Sequence, residues 1–328
     1  MKRKQGSWVP WALVAPGVLW VLVFALWPFL NTVRLSFTNA RPLTTPEFTG
    51  LENYVRLFHD ERFGYAMTTS LVYAAVCIPL LTFLPLLLAL LVNAKIPGIA
   101  FFRTTFYFPV IASAVVVAIV WQFLFSSTGT VNQALKMLGW TDRPIDFLSD
   151  RWLLIFCAIG LTVWKGLGYY MVVYLAALGS VGRDLHEAAA IDGAGTWRRF
   201  WSVTVPGVRG AMVLVAVLIA ASAMRVFTEL YVLSNGTGGP GGHSMSMVML
   251  IQTMGKGLTG QTGYASAISM VLFLMTLIPL TILAIANYGQ QIKDVRRQFV
   301  GWRDHRKMNK ELRREEVALI APDQEISI

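Results

Sequence analysis

Groups able to ligate a metal, titrate near neutrality or act as nucleophiles are few in this chain, and they stand apart. His59, His186, His243 and His305 have no second ligand at metal-binding spacing, so no metal site is expected. Cys77 and Cys157 both fall inside apolar runs, which implies no disulfide framework. No Ser-His-Asp or Cys-His arrangement can be assembled, so no catalytic residues are assigned and no enzyme is expected. The glycine run Gly236–Ser244 (GTGGPGGHS) has Gly236 and Gly241 at the spacing of a phosphate-binding loop, but Gly242 occupies the position that requires lysine. It is read as a flexible external turn. The polar constellation with a coherent purpose is Arg183–Pro206, RDLHEAAAIDGAGTWRRFWSVTVP, and its chemistry is recognition. Asp184 is placed to cap a helix with Glu187 at its third position, close to a capping box. Gly193 and Gly195 allow the backbone to reverse, and Thr196 is placed to cap a second helix starting at Trp197. Trp197, Phe200 and Trp201 form an apolar face and Pro206 ends the unit. Small alanines let another protein approach closely, and the acidic residue is a specific handle.

The elements that must position this knob are membrane spans. Hydrophobic residues make up 55% of the 328 and charged residues 14%, against about 25% charged in an ordinary soluble domain. Uncharged stretches run from Gln5 to Val33, Ala66 to Ala94, Thr104 to Leu135 and Gly257 to Ile292. Each can hold the roughly 20 helical residues that cross a hydrocarbon core of about 30 Å. Trp152–Leu178 is interrupted only by Lys165, and Ala211–Leu233 only by Arg225 and Glu229. The fold class expected is all-α integral membrane, with six spans near Trp11–Leu30, Leu71–Val92, Phe106–Phe125, Trp152–Leu178, Ala211–Leu233 and Ala265–Tyr288. Prolines inside them are tolerated because neighbours satisfy the freed carbonyls. A β-barrel would need alternating segments of about 10 residues, and these are absent.

Six spans place both termini on one side, together with the loops after the second and fourth helices. That side holds 18 of the 28 lysines and arginines and the other side holds 8, with Lys165 and Arg225 inside spans. The basic side is cytoplasmic by the positive-inside rule, so the knob between helices 4 and 5 is expected there. The organisation expected is a cytoplasmic N-terminus over 1–10, a six-helix body over 11–288 with the knob at 183–206, and a basic cytoplasmic tail over 289–328. The tail segment from Lys293 to Arg314 alternates basic and acidic residues and is read as lying on the anionic inner leaflet or solvated. A net charge of +10 reflects this asymmetry. Nucleic acid is not an expected partner, since no basic patch with aromatic readers sits on a soluble domain. The first apolar run is too long for a signal peptide and lacks a small-residue cleavage site.

The knob residues carry a resemblance. EAAAIDGAGTWRRFWSVTVP resembles the signature loop of permease subunits in binding-protein-dependent ABC importers: E-A-A, then D-G-A, then an aromatic, then a hydrophobic-proline pair. Glu187, Ala188, Ala189, Asp192, Gly193 and Ala194 match position by position, as do Phe200 and Pro206. Val203 and Val205 stand where isoleucine and leucine are usual, and Gly210 where a second proline is common. FTGLENYVRLFHDERFGYAMTTSLVY, RTTFYFPVIASAVVVAIVWQFLF and TVWKGLGYYMVVYLAALGSV are similar to the carbohydrate-uptake branch, maltose or glycerol-phosphate type. The opening APGVLWVLVFALWPFLNTVRLSFT resembles the first of its two paired permeases. The resemblance implies a bacterial or archaeal plasma membrane and a heterodimer with a second related permease. It also implies two ABC ATPase subunits docked on the knob, and an external solute-binding protein that delivers a sugar-like solute. It implies no cofactor on this chain, with ATP and Mg on the partner ATPase.

The solute path is expected among intramembrane polar and aromatic groups. Charges at a helix centre cost about 2.5–3.5 kcal/mol on insertion scales, so Lys165, Arg225 and Glu229 should face the bundle interior. Arg225 and Glu229 are spaced i, i+4 and are placed to neutralise one another, as a structural pair or as part of a solute site. Trp121, Gln122, Trp164, Tyr169 and Tyr170 are the other candidates, although Trp and Tyr also populate interfaces and helix contacts. The alternative is a stand-alone secondary transporter, which usually shows internal repeats and ionisable relays; no such repeat relates the two halves.

Overall fold

Prolines, glycines and the need to satisfy backbone carbonyls decide where the apolar runs stay straight. The computed structural model describes residues 9–94 and 96–285. The basic cluster at Lys2–Lys4, the last residues of the sixth expected span (286–288) and the tail at 289–328 lie outside the described residues. In chain order the helices are α1 (Trp11–Ser36), α2 (Glu52–His59), α3 (Glu61–Val92), α4 (Ile99–Ile111), α5 (Ala114–Leu124), α6 (Thr130–Met137) and α7 (Arg151–Leu178). They continue with α8 (Arg183–Ile191), α9 (Thr196–Gly207), α10 (Arg209–Ala223), α11 (Thr228–Leu233), α12 (Met247–Gly255) and α13 (Thr262–Ile285). Four of these, α1, α3, α7 and α13, are individually long and apolar enough to cross a membrane, and the number is up to six if each of the bent pairs α4–α5 and α9–α10 counts as one span.

The spans begin where the residue types allow. The Asp60 carboxylate accepts the Arg62 N–H at 2.9 Å and starts α3, while the Asp150 carboxylate accepts from Trp152 and Leu153 N–H at 2.9 Å and starts α7. These are N-caps that satisfy donors with no intrahelical partner. Two π-helical turns each precede a residue–proline pair: Leu22–Leu26 before Trp27-Pro28, and Phe200–Thr204 before Val205-Pro206. In each, the N–H ahead of proline reaches five residues back, Trp27 to the Leu22 carbonyl and Val205 to the Phe200 carbonyl. The wider turn lets the helix pass a residue that has no N–H of its own.

The core is the long seam between α3 and α7. On α3, Ala66, Ser70, Tyr73, Cys77 and Leu81 form one buried face, at helical spacing and mostly small, as close packing in lipid requires. Two tyrosines cross the seam. Tyr73 Oη hydrogen-bonds Thr162 Oγ1 and donates to the Ala158 carbonyl at 3.2 Å, and Tyr174 Oη donates to the Thr82 carbonyl at 2.8 Å. On the opposite end, Tyr264 Oη donates to Asp60 at 2.7 Å, with the Arg56 guanidinium 4.2 Å above the Tyr264 ring. By contrast, the membrane window of α1 buries nothing against the chain; Phe29 meets Phe273 at 5.1 Å.

Three expectations are corrected. The third span is not one helix: α4 and α5 meet at 96° across Ala112 and Ser113, both extended. Pro109, buried in the last turn of α4, removes one rung of the ladder just before the break. The fifth span, expected to run unbroken over Ala211–Leu233, stops at Ala223 and restarts at Thr228. Finally, Gly236–Ser244 is not a loose turn. Ser244 is fully buried and donates toward the Arg151 carbonyl at 3.4 Å, its N–H donates to the Gly238 carbonyl at 2.7 Å, and His243 stacks on Tyr65 at 4.0 Å. Short α12, apolar but too brief to cross, follows with Ser246 as its cap and Met247 N–H on Ser70 Oγ at 3.0 Å.

Gly168 is where α4 lies closest to α7: a β-carbon there would stand 2.2 Å from the Phe106 carbonyl oxygen and 2.8 Å from the Tyr107 α-carbon. Backbone cannot yield as a side chain can, so Gly168→Ala is expected to destabilise the bundle by about 1–3 kcal/mol. A lowered unfolding midpoint in detergent is the expected outcome, with Gly64→Ala, where nothing lies within 4 Å, as the unaffected control.

Candidate functional site

The knob is a helical hairpin closed by backbone geometry. In α8 the Gly193 N–H donates to the Ala190 carbonyl at 3.0 Å and the Ala194 N–H reaches back to the Ala189 carbonyl at 2.9 Å. Gly193 holds φ +74° between them. This pair of bonds is a Schellman motif, which needs a left-handed residue just past the helix end. That explains the D-G-A sequence physically: Asp192 is the C-cap, Gly193 turns the chain, and Ala194 closes the ring. Arg199 N–H then donates to the Gly195 carbonyl at 2.9 Å to open α9.

Both expected side-chain caps are displaced toward the N-terminus, the first by two residues and the second by one. Helix α8 begins at Arg183 with Gly182 as N-cap, and α9 begins at Thr196 with Gly195 as N-cap, neither with a side-chain cap bond. Asp184 therefore lies in the first turn, where its charge favours the positive helix end, and Glu187 sits a full turn in rather than at the reciprocal position of a capping box. Glu187 is exposed, and its role is not spent on the fold.

The hairpin presents an unusual surface. Glu187, Ala188, Asp192 and Gly193 are exposed, while Ala189 and Ala194 are half-buried. Ile191 is 87% exposed and Trp197 72%, large apolar area left to solvent on a polar hairpin. Trp197, Phe200 and Trp201 form one aromatic cluster with ring centroids 5.1–5.8 Å apart. An acidic rim, small residues and packed aromatics together suit protein docking.

At membrane depth, the candidates fall into separate groups. Trp121 and Trp164 approach at 6.1 Å, with Trp121 against Gly160. Tyr169 and Tyr170 meet edge-on at 5.1 Å, the first exposed and the second buried. The Gln122 amide donates to Asn235 Oδ1 at 2.8 Å and the Val232 carbonyl at 3.3 Å, joining α5 to the end of α11. Arg225 and Glu229 do not pair. The helix breaks between them, so i, i+4 spacing no longer brings them together, and Arg225 Nε donates to the Ala221 carbonyl at 2.8 Å. Glu229 is half-buried and Arg225 exposed. Asn235, whose φ of +52° is rare outside glycine, was not singled out from sequence. With Leu148, Ser149, Ser234 and Thr237 it lines a polar cleft of about 460 Å³. Its only sequence signal was the glycine run beside it.

Four to six candidate spans, broken helices and one exposed hairpin give the form of a multi-pass membrane subunit. Residues 55–294 match the binding-protein-dependent transport system inner membrane component, and the chain belongs to that family. It is 32% identical to the lactose transport system permease protein LacF of Rhizobium radiobacter, over 81% of this chain and 89% of that one. It is 30% identical to the sn-glycerol-3-phosphate transport system permease protein UgpA of Yersinia pestis, over 88% and 96%. A chain from the crystal structure of a bacterial alginate ABC transporter, in complex with an alginate pentasaccharide-bound periplasmic protein, superposes with a TM-score of 0.72. It shares 26% identity and is covered to 92%, against 84% of this chain. The protein is thus an inner-membrane permease subunit of an ATP-driven importer and not an enzyme; its partners are an ATPase and a solute-binding protein. This disfavours a stand-alone secondary transporter.

Gly193 carries the hairpin's closure. A non-glycine residue in the left-handed region costs roughly 1–2 kcal/mol, so Gly193→Val is expected to open the turn. Faster amide hydrogen exchange across Ala188–Trp197, with exchange in α3 and α7 unchanged, is the outcome that checks it.

Proposed function

We propose that this chain carries a sugar or related polar solute, as the first of two paired permeases in a heterodimer. Two ABC ATPase subunits dock on Glu187, Ala188, Ala189, Asp192, Gly193 and Ala194, and hold the ATP and Mg that this chain does not bind. The hairpin and both termini face the cytoplasm, and an external binding protein delivers the solute from the other side. In this reading residues 11–288 are the permease body and 289–328 a cytoplasmic tail. Solute class is supported by the relatives' names, which specify lactose, sn-glycerol-3-phosphate and trehalose/maltose. The sidedness is supported by the asymmetry of lysines and arginines.

The observation that carries the reading is the hairpin, whose Glu187, Ala188 and Asp192 stay exposed beside Ile191 and Trp197. The mechanism is alternating access. ATP-driven closure of the ATPases moves the rigid hairpin, and the four-residue link Gly179–Gly182 transmits that motion to α7. The path candidates are Trp121, Trp164, Tyr169, Tyr170, Arg225 and Glu229, with Gln122 at its external end. Arg225 is a charge at membrane depth left uncovered within this chain, and burying it against lipid would be costly. The second permease or the solute path covers that face.

Copurification from host membranes in mild detergent tests this. An ABC ATPase and a second permease are expected with the tagged chain, and Glu187→Lys should lose the ATPase while keeping the second permease. Gly193→Val should uncouple ATP hydrolysis from uptake with the spans intact; unaltered uptake would overturn the lever. A chain recovered alone that transports without ATP would make it a secondary transporter.

A further inference from the structure

Lys165 stands halfway along α7, a helix long and apolar enough to cross a membrane, and its ammonium faces the end of a helix. Its Nζ donates to the Val110 carbonyl at 3.4 Å. Val110 lies in the last turn of α4, where the chain turns through 96° and the final carbonyls lose their intrahelical donors. Lipid cannot replace those donors. A cation there also complements the negative end of the helix.

Two further observations place α4 on the same body. Gly168, one turn along α7, brings the Phe106–Tyr107 backbone so close that a β-carbon would not fit. At the other end of α4, Arg103 Nε and Nη2 both donate to the Val92 carbonyl, at 3.0 and 2.8 Å, capping the end of α3. So α4 is tied at its start to α3 and at its end to α7. The half of α7 that it rests on, from Lys165 to Leu178, runs directly toward the hairpin.

We propose that Lys165 is a positioning residue: it clamps the inner half of the broken third span to α7, so that α4 moves as one with the hairpin-bearing lever. The proposal rests on the reading of the hairpin as the ATPase dock. Without the clamp, a hairpin pushed by the ATPase moves α7 while α4 slips, and hydrolysis is no longer converted into opening of the path.

The test uses the assembled transporter in proteoliposomes with its binding protein. Lys165→Met is expected to lower solute uptake per ATP hydrolysed at least about fivefold, the lower end of ordinary coupling effects. Lys165→Arg, which keeps a donor and a charge, is expected to restore most of it. Spin labels at exposed Phe108 on α4 and Val172 on α7 then read the clamp itself, with Cys77 and Cys157 first replaced by alanine. Their separation should be the same in nucleotide-free and vanadate-trapped transporter. A separation that changes between the two states would overturn the proposal even if the methionine variant failed to assemble. So would an unaltered ratio in Lys165→Met, or no rescue by arginine. Loss of ATPase copurification in Glu187→Lys is read separately, so failure of the docking reading is distinguishable from failure of the clamp.

Discussion

A backbone carbonyl freed at a helix end needs a donor from outside its own ladder, most of all where lipid excludes water, and this constraint organises much of the molecule. At five helix C-termini the last carbonyls meet a side-chain donor. Asn53 on α2 donates to Ser36 at 2.9 Å, Arg103 on α4 to Val92, and Lys165 on α7 to Val110. Gln122 on α5 donates to Val232, and Arg225 just past α10 to Ala221. Four of the five donors come from a different helix, so each repaired end is also a tether between elements. Donors of this kind allow spans to break where a transporter needs them broken, without leaving polar groups bare.

The same rule separates the two kinds of irregularity. Where Pro28 interrupts a helix that continues to Ser36, a π turn lengthens the hydrogen bond pattern and no outside donor is recruited, whereas the same turn before Pro206 is followed by a 71° bend into α10. Where the chain must change direction, at Ala112–Ser113 and at Arg225–Phe227, the ladder is abandoned and a charged or amide side chain takes its place. At Pro28 the first device preserves a rod, and the second makes a joint. Discontinuous spans near the bilayer midplane are a recurring way to build a path; the joint at Arg225–Phe227 lies in a charged span, and the joint at Ala112–Ser113 lies in an uncharged one that Lys165 of α7 reaches.

Composition and spacing made the class and the hairpin legible, because both rest on local rules: apolar length for the spans, and E-A-A…D-G-A for a helix closed by a left-handed glycine. The caps were misplaced by two residues and by one because Gly182 and Gly195 hold those positions with no side-chain bond, leaving Asp184 and Thr196 inside the first turns. Both breaks were illegible for a related reason. Residues 106–125 are uncharged and mostly apolar, so hydropathy is the same whether they form one helix or two. The Arg225–Glu229 pair failed because i, i+4 reasoning assumes the helix it was meant to support. Gly238 and Gly239 looked like flexibility, yet a β-carbon at either would clash with Met245 or Ser244. They are glycine because the loop is tight.

Sequence therefore reads well where a residue acts on its own segment and poorly where it acts on another. Lys165 shows the difference. Within α7 it is an isolated charge in an apolar run, and the ordinary inference from such a charge is a ligand or a relay. Its placement beside a helix end on α4 admits a different account, in which the charge is retained for mechanical reasons. A leucine at that position would be cheaper to insert but would leave Val110 without its donor. The cost of the buried cation is then offset by the joint it makes possible, and the joint is what lets one crossing be divided between a moving body and the rest of the wall.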